Sequence, residues 1–259
     1  MGRNIITIDV GNTNTSIAVI DYQSKEIKWS QKYKDEDAKK ATLCKDFLNL
    51  KDKFVPLAAM ISSVVPDVDK RIKAALKEVD INAMFIKPTD YEDLLKLDVL
   101  GKYELGADIF CGCVESARRF RSSITIDMGT ATTITLVKDG TLLACAIYPG
   151  VKASFSDLCE ATALLNYTDI KEPERFIGGN TVDALRSGML YGTLGALKEI
   201  IARYKSYVKD AKLVFTGGAS RHYIEYFDSC IYEKDLIHLG LAYIYFKKVV
   251  KAKWKQTYY

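Results

Sequence analysis

The stretch "IITIDVGNTNTSIAVID", Ile5 to Asp21, decides the fold because it returns: "ITIDMGTATTITLVKDG" runs from Ile124 to Gly140. In each copy an Asp ends a β-branched run, a Gly stands two residues later, and Thr or Asn lead into a second β-branched run. Such runs suit strands and the Gly/Asn cluster suits a turn, so each copy reads as a hairpin. Glycine lets the chain turn sharply with no Cβ in the way, and backbone N–H groups in such a turn can converge on one anion. Thr13, Asn14, Thr15, Thr130, Thr132 and Thr133 add side-chain donors. The Asp repels a phosphate but can hold a cation or water that touches one. One Asp-x-Gly hairpin is an ordinary turn. Two copies, with a third Gly-rich turn at Thr216 to Gly218 after the apolar run "KLVF", suit a nucleotide clamped between related lobes.

Outward from these hairpins, short apolar runs alternate with helical spacings. "PLAAMISSVV" and "NAMFIK" read as strands, and "DVDKRIKAALKEV" as a helix capped by Asp67 or Asp69. "GADIFCGCVESARRF", "KASFSDLCEATALL", "NTVDALRSGMLYGTLGALKEIIARYKSYV" and "DLIHLGLAYIYFKKVV" carry further helical patterns. Strands mixed with helices of this length predict α/β layers, and the duplicated hairpin predicts two related halves. The basic run "RRFR" at Arg118 to Arg121 interrupts the apolar pattern, placing the expected domains at 1–118 and 119–259.

The gross composition excludes several classes. A net charge of +4 over 259 residues is too mild to argue for nucleic acid or an acidic membrane. No apolar run approaches the ~18–20 residues that span a bilayer, and the first residues lack the three-part pattern of a secretory leader. A cytoplasmic protein is expected. Six scattered cysteines without a CxxC, and only two histidines, predict reduced thiols rather than a transition-metal site. The lysine-rich tail with Trp254, Tyr258 and Tyr259 reads as a solvated helix end.

The series of motifs resembles the acetate and sugar kinase, Hsp70 and actin superfamily, and within it the type III pantothenate kinases. "DVGNTNT" (Asp9 to Thr15) and "DMGTATT" (Asp127 to Thr133) look like that family's two phosphate motifs. "GAD" (Gly106 to Asp108) looks like the start of its Gly-x-Asp-Arg motif. "YPGVKASFSDLCEATALL" and "IGGNTVDALRSGMLYG" follow its later patterns, and the order holds along essentially the whole chain. The resemblance implies two duplicated ribonuclease-H-like, actin-like ATPase domains with a nucleotide cleft between them. The implied reaction transfers the γ-phosphoryl of ATP to pantothenate, the first step of coenzyme A biosynthesis, in a cytoplasmic homodimer.

By the same resemblance Asp9, Val10, Gly11, Asn12, Thr13, Asn14, Thr15 and Ser16 would wrap the ATP phosphates, with Thr130 from the other half. Asp127 would bind K⁺ (or NH₄⁺), and Mg²⁺ would accompany ATP. Asp108 would be the base, and Val99, Gly106, Ala107, Ile109 and Thr181 would border pantothenate. Read from spacing alone, Asp108 and Thr181 are also good helix caps.

Four positions depart from the family pattern. Ile109 stands where Arg follows the catalytic Asp, Val99 where Tyr is common, Lys102 where Pro is usual, and Ala144-Cys145 where Gly-Gly precedes the Pro-Gly turn. An aliphatic side chain cannot supply the donor fork of Arg, so Lys102 or Lys152 is a candidate replacement for the missing charge. Two other readings stay open: a nucleotide-binding accessory relative, and a kinase for another small hydroxyl compound.

Overall fold

The computed structural model describes residues 3–34, 36–166, 168–177 and 179–250. The first copy of the repeat forms strands β1 (Asn4–Val10) and β2 (Asn14–Asp21), which pair antiparallel with Asp9 opposite Ser16 and Val10 opposite Thr15. Strand β3 (Ile27–Lys34) extends this meander, while β4 (Ala59–Ser63) and β5 (Ala83–Phe85) add in parallel, giving the order β3-β2-β1-β4-β5. Parallel neighbours need crossovers, and helices α1 (Lys40–Phe54) and α2 (Pro66–Glu78) supply them. Ile6, Ile8, Val10, Ile17 and Val19 form one core with Leu43, Phe47, Val68 and Ile72. Full burial of each such side chain contributes about 1.5–3 kcal/mol.

The two-residue period of a strand sends Ile5, Thr7 and Asp9 to the opposite face. After the two-residue strand β6 (Lys96–Leu97) and a turn-rich segment comes α3 (Ala107–Arg119). The second copy repeats the plan. Strands β7 (Ser122–Met128), β8 (Ala131–Lys138) and β9 (Thr141–Pro149) form a meander. Strands β10 (Lys212–Thr216) and β11 (Cys230–Tyr232) join β7 in parallel, so the order β11-β10-β7-β8-β9 mirrors the first sheet. Between β9 and β10 lie α4 (Val151–Glu160), α5 (Thr181–Ser187) and α6 (Thr193–Tyr207), the last two joined by a π turn at Gly188–Gly192. Their core gathers Ile124, Ile126, Met128, Leu190, Leu194, Leu197 and Phe215.

The chain separates into two compact units, Met1–Glu115 with Asp235–Tyr259, and Ser116–Lys234. This differs from the expected 1–118 and 119–259 in one large respect. Helix α7 (Leu236–Tyr245) packs against β1, β2 and β4 and so belongs with the first sheet. Its sequence is apolar nearly all round, and Leu236, Leu241, Ala242, Ile244 and Tyr245 are buried, as expected for a helix within a core.

Three local readings are corrected. Helix α2 begins at Pro66 after Val65, with Asp67 and Asp69 in its first turn rather than at the cap, because proline is pre-set for that first position. Helix α4 ends at Glu160, short of the expected "ATALL". Thr181 does not cap α5: Asn180 does, its side chain accepting the Asp183 N–H at 3.0 Å. The lysine-rich tail from 251 lies outside the described residues.

Candidate functional site

In the first unit the hairpin tip is short. Gly11 N–H donates to the Asn14 carbonyl at 3.1 Å, so this amide closes the turn and is spent there. The tip keeps Asn12 and Thr13 exposed, with Gly11 and Asn14 half-buried. Val10 and Thr15 are fully buried, and they pair across the hairpin just below the tip. Asp9 and Ser16 are directly opposite one another, both half-buried. Ser62 on β4 is the parallel-strand partner of Asp9, and its buried Oγ has no hydrogen-bond partner among the described residues. Carboxylate and hydroxyl oxygens grouped at a strand end form the hard-donor chemistry that suits a Mg²⁺-bound water shell.

Asp108 lies in the first turn of α3, one residue inside the helix rather than at its cap. Its Oδ1 accepts the Ile109 N–H at 2.8 Å, and it folds back over Gly106, where an added Cβ would strike that same oxygen. Burial pushes the Asp108 carboxyl above its ordinary value, opposed by the N–H groups of Ile109 and Asp108 itself. One helical turn on, the buried Cys111 thiol is pushed well above its usual value by burial, then by the charges of Asp9, Asp108 and Cys113. The charges of Asp9 and Asp108 thus both act on that buried thiol.

Around Asp108, Ala107 is buried, Gly106 and Ile109 are half-buried, and Val99 lies in the turn-rich segment before α3. Lys102, a candidate for the missing charge, is already engaged: its Nζ meets Glu92 Oε1 at 2.9 Å. Lys152 is exposed in the first turn of α4.

In the second unit Gly129 N–H closes the tip on the Ala131 carbonyl at 2.9 Å, so here too the glycine amide is spent on the turn. Thr130 is exposed at that tip. The tip rests on Gly150, where an added Cβ would strike the Thr130 and Gly129 carbonyls. Asp127, one residue before the end of β7, pairs with Thr216 of β10. Gly217, with φ +84, presses its Cα against the Asp127 carboxylate and the Met128 backbone, a cradle that any Cβ would fill. Oxygen donors in such a cradle fit a hard monovalent cation. Among the described residues no group of three His, Cys, Asp or Glu side chains gathers as a metal cluster, and no helix is long and apolar enough to cross a membrane. Thr181 is exposed beside an open groove of about 570 Å³ lined by Glu174, Arg175, Gly179, Asn180 and Asp183.

Two residues outside the expected set shape these corners. Gly150 appeared in the sequence only as part of "YPG", with no sign that it lies beneath Thr130. His238 of α7 meets Thr7 and Ser16 at 2.9 Å each, over more than two hundred residues of chain. Strand periodicity puts Thr7, Asp9 and Ser16 on one face, but nothing local names the helix that covers it.

Two mixed sheets of matching order, each with an Asp one residue before the end of the strand that leads into a glycine turn, have the fold seen in actin-like ATPases and sugar kinases. A solved protein of Campylobacter jejuni described as a conserved Baf-family transcriptional activator shares the fold at TM-score 0.60 and 22% identity, covering 97% of this chain and 100% of that one. The activator of 2-hydroxyisocaproyl-CoA dehydratase from Clostridium difficile, solved with ADPNP, does so at TM-score 0.51 and 11% identity, covering 97% of each chain. The family model for type III pantothenate kinase matches residues 5–203. The type III pantothenate kinase of Dictyoglomus turgidum is 33% identical over 95% of this chain and 100% of its own length. That of Fervidobacterium nodosum is 30% identical over 94% and 98%. The chain belongs to the type III pantothenate kinase family, and it is a kinase that uses ATP.

Proposed function

We propose that this chain phosphorylates pantothenate with Asp108 as the general base, the first step of coenzyme A biosynthesis. The observation that carries the assignment is the half-buried carboxylate of Asp108 at the start of α3, folded back over Gly106 and held above its ordinary value by burial. A base poised above the ordinary carboxylate range takes a proton more readily in the transition state. Asp108 accepts the proton of the acceptor's primary hydroxyl as its oxygen attacks the γ-phosphorus. The bond to the β–γ bridging oxygen breaks, and ADP leaves with that electron pair.

The hairpin residues Asp9 to Ser16 and Thr130 hold the phosphates, through the tip side chains and amides beyond the two closing glycines. Asp9 with Ser62 suits the water shell of Mg²⁺, and the Asp127 cradle suits K⁺ or NH₄⁺. When bound, these cations offset the charge on the phosphoryl oxygens. Gly106, Ala107, Val99, Ile109 and Thr181 border the acceptor. The family's Arg position being Ile109, the pantothenate carboxylate finds its charge elsewhere, and the Glu92 ion pair argues against Lys102 in that role.

A cytoplasmic homodimer completes the reading. Support for the dimer comes from the second unit, where Ile147, Leu164 and Ile177 are 72%, 89% and 88% exposed, and a Cβ added at Gly192 of the π turn or Gly195 of α6 would meet no atom of the described residues within 4 Å. ADP release measured with Mg²⁺ and K⁺, with and without pantothenate, tests the reaction on wild type and Asp108→Asn. Pantothenate-dependent turnover lost in the variant is the expected result. Turnover only with other hydroxyl acceptors, or nucleotide binding without turnover, would replace this reading with one of its two rivals.

A further inference from the structure

The His238 imidazole is buried, 5% exposed, and each of its ring nitrogens meets a hydroxyl of a different strand of the first hairpin. Nδ1 lies 2.9 Å from Thr7 Oγ1 on β1, and Nε2 lies 2.9 Å from Ser16 Oγ on β2. Thr7 Oγ1 also lies 3.5 Å from the Ala18 carbonyl of β2. Both strands are thus tied to one ring just below the tip, with Asp9 directly across from Ser16.

The same helix also fixes the other half of the chemistry. Two residues beyond His238, Gly240 lies so close to α3 that an added Cβ would strike the Cys111 carbonyl. Cys111 is one turn from Asp108, and Gly112 lies against Leu236 of α7. Helix α7 therefore touches both the strand pair that ends in the phosphate hairpin and the helix that carries the base.

We propose that His238 is a positioning residue for the reaction: it clamps the two strands of the hairpin through Thr7 and Ser16 and sets the hairpin's attitude toward ATP. This rests on the hairpin holding ATP phosphates. A ring nitrogen at the end of the side chain is what reaches Ser16, so Gln, whose amide oxygen extends as far, keeps that contact. Asn is shorter and keeps only the Thr7 contact, and Leu keeps neither.

The test uses the full chain, with KM for ATP and for pantothenate and kcat measured for His238→Gln, His238→Asn and His238→Leu. ADP titration covers any variant too slow to assay. The expected result is a rise in ATP KM of about five- to tenfold for Asn and Leu, the size of one lost hydrogen bond. Pantothenate KM should stay within about twofold of wild type, and Gln should restore most of the ATP KM, a pattern that loss of stability alone would not give. Equal ATP KM in all three variants, or parallel loss of both KM values and kcat, would overturn the proposal. Ser16→Ala separates the two layers of the argument. If it raises ATP KM while His238→Leu does not, the clamp alone is wrong; if neither changes ATP KM in an active enzyme, the hairpin assignment fails with it. Should His238→Leu not fold, the contrast between Gln and Asn decides the same question.

Discussion

Burial holds the Asp108 carboxyl above its ordinary value, so the folded chain takes up a proton there at higher pH than the unfolded chain does. A raised carboxylate pKa makes the charged form a burden on the folded state. That burden is full above the folded-state value and vanishes below the unfolded one. The Asp108 carboxylate therefore costs stability at neutral pH. Asp108→Asn, which can still accept the Ile109 N–H, should lose about 10²–10⁴-fold in kcat while melting no lower than wild type at pH 7. The difference in melting temperature, read by calorimetry across pH, should shrink as pH falls below the ordinary aspartate range. A variant that melts well below wild type at pH 7 would make Asp108 a structural residue. Position 109 carries a second expectation. If the half-buried aliphatic side chain limits grip on the acceptor, Ile109→Arg should lower the pantothenate KM and leave the ATP KM within about twofold, a smaller change than one hydrogen bond makes.

At the scale of elements, the glycines that matter are those against which backbone is pressed. Gly240→Ala drives a methyl into the Cys111 carbonyl and forces α7 and α3 apart. Overpacking of this kind typically costs about 1–3 kcal/mol. The expected outcome is a lower melting temperature together with reduced kcat, since α3 carries Asp108. Gly150→Ala acts on the second hairpin, pushing the Thr130 tip off its seat. It should raise the ATP KM with little effect on the pantothenate KM. Gly217→Ala adds backbone strain at φ +84 to a clash with the Asp127 carboxylate. Its reading is the K⁺ dependence of turnover, which should shift to higher concentration.

For the whole molecule, the return of the chain to its first sheet sets what can be removed. A chain ending at Lys234 lacks α7 and uncovers the face of β1, β2 and β4 that carries Ile5, Thr7 and Asp9. Hydrogen exchange should then show protection lost in those strands while β7, β8 and β10 keep theirs. The sheets themselves were legible in the sequence because their signals are local: β-branched runs, glycine turns and helical spacing lie within single elements. The hairpins, the α3 helix and Asp108 at its start were legible for that reason. What stayed hidden depends on distant partners. Gly150 under Thr130, Gly217 against Asp127, and His238 on Ser16 leave no periodic trace, and α7 has the pattern of any buried helix. Nor does the sequence reveal that each tip glycine spends its own N–H on closing its turn, Gly11 on Asn14 and Gly129 on Ala131.

The late arrival of α7 also fixes an order of events at the ribosome. The N-terminal sheet is synthesised first but keeps an uncovered apolar face until residues near 236–245 emerge, whereas the inserted unit has its whole core in hand by Lys234. The second-made half can thus mature ahead of the first, and a nascent chain stalled before its last helix leaves the Thr7 and Asp9 face of its first sheet uncovered.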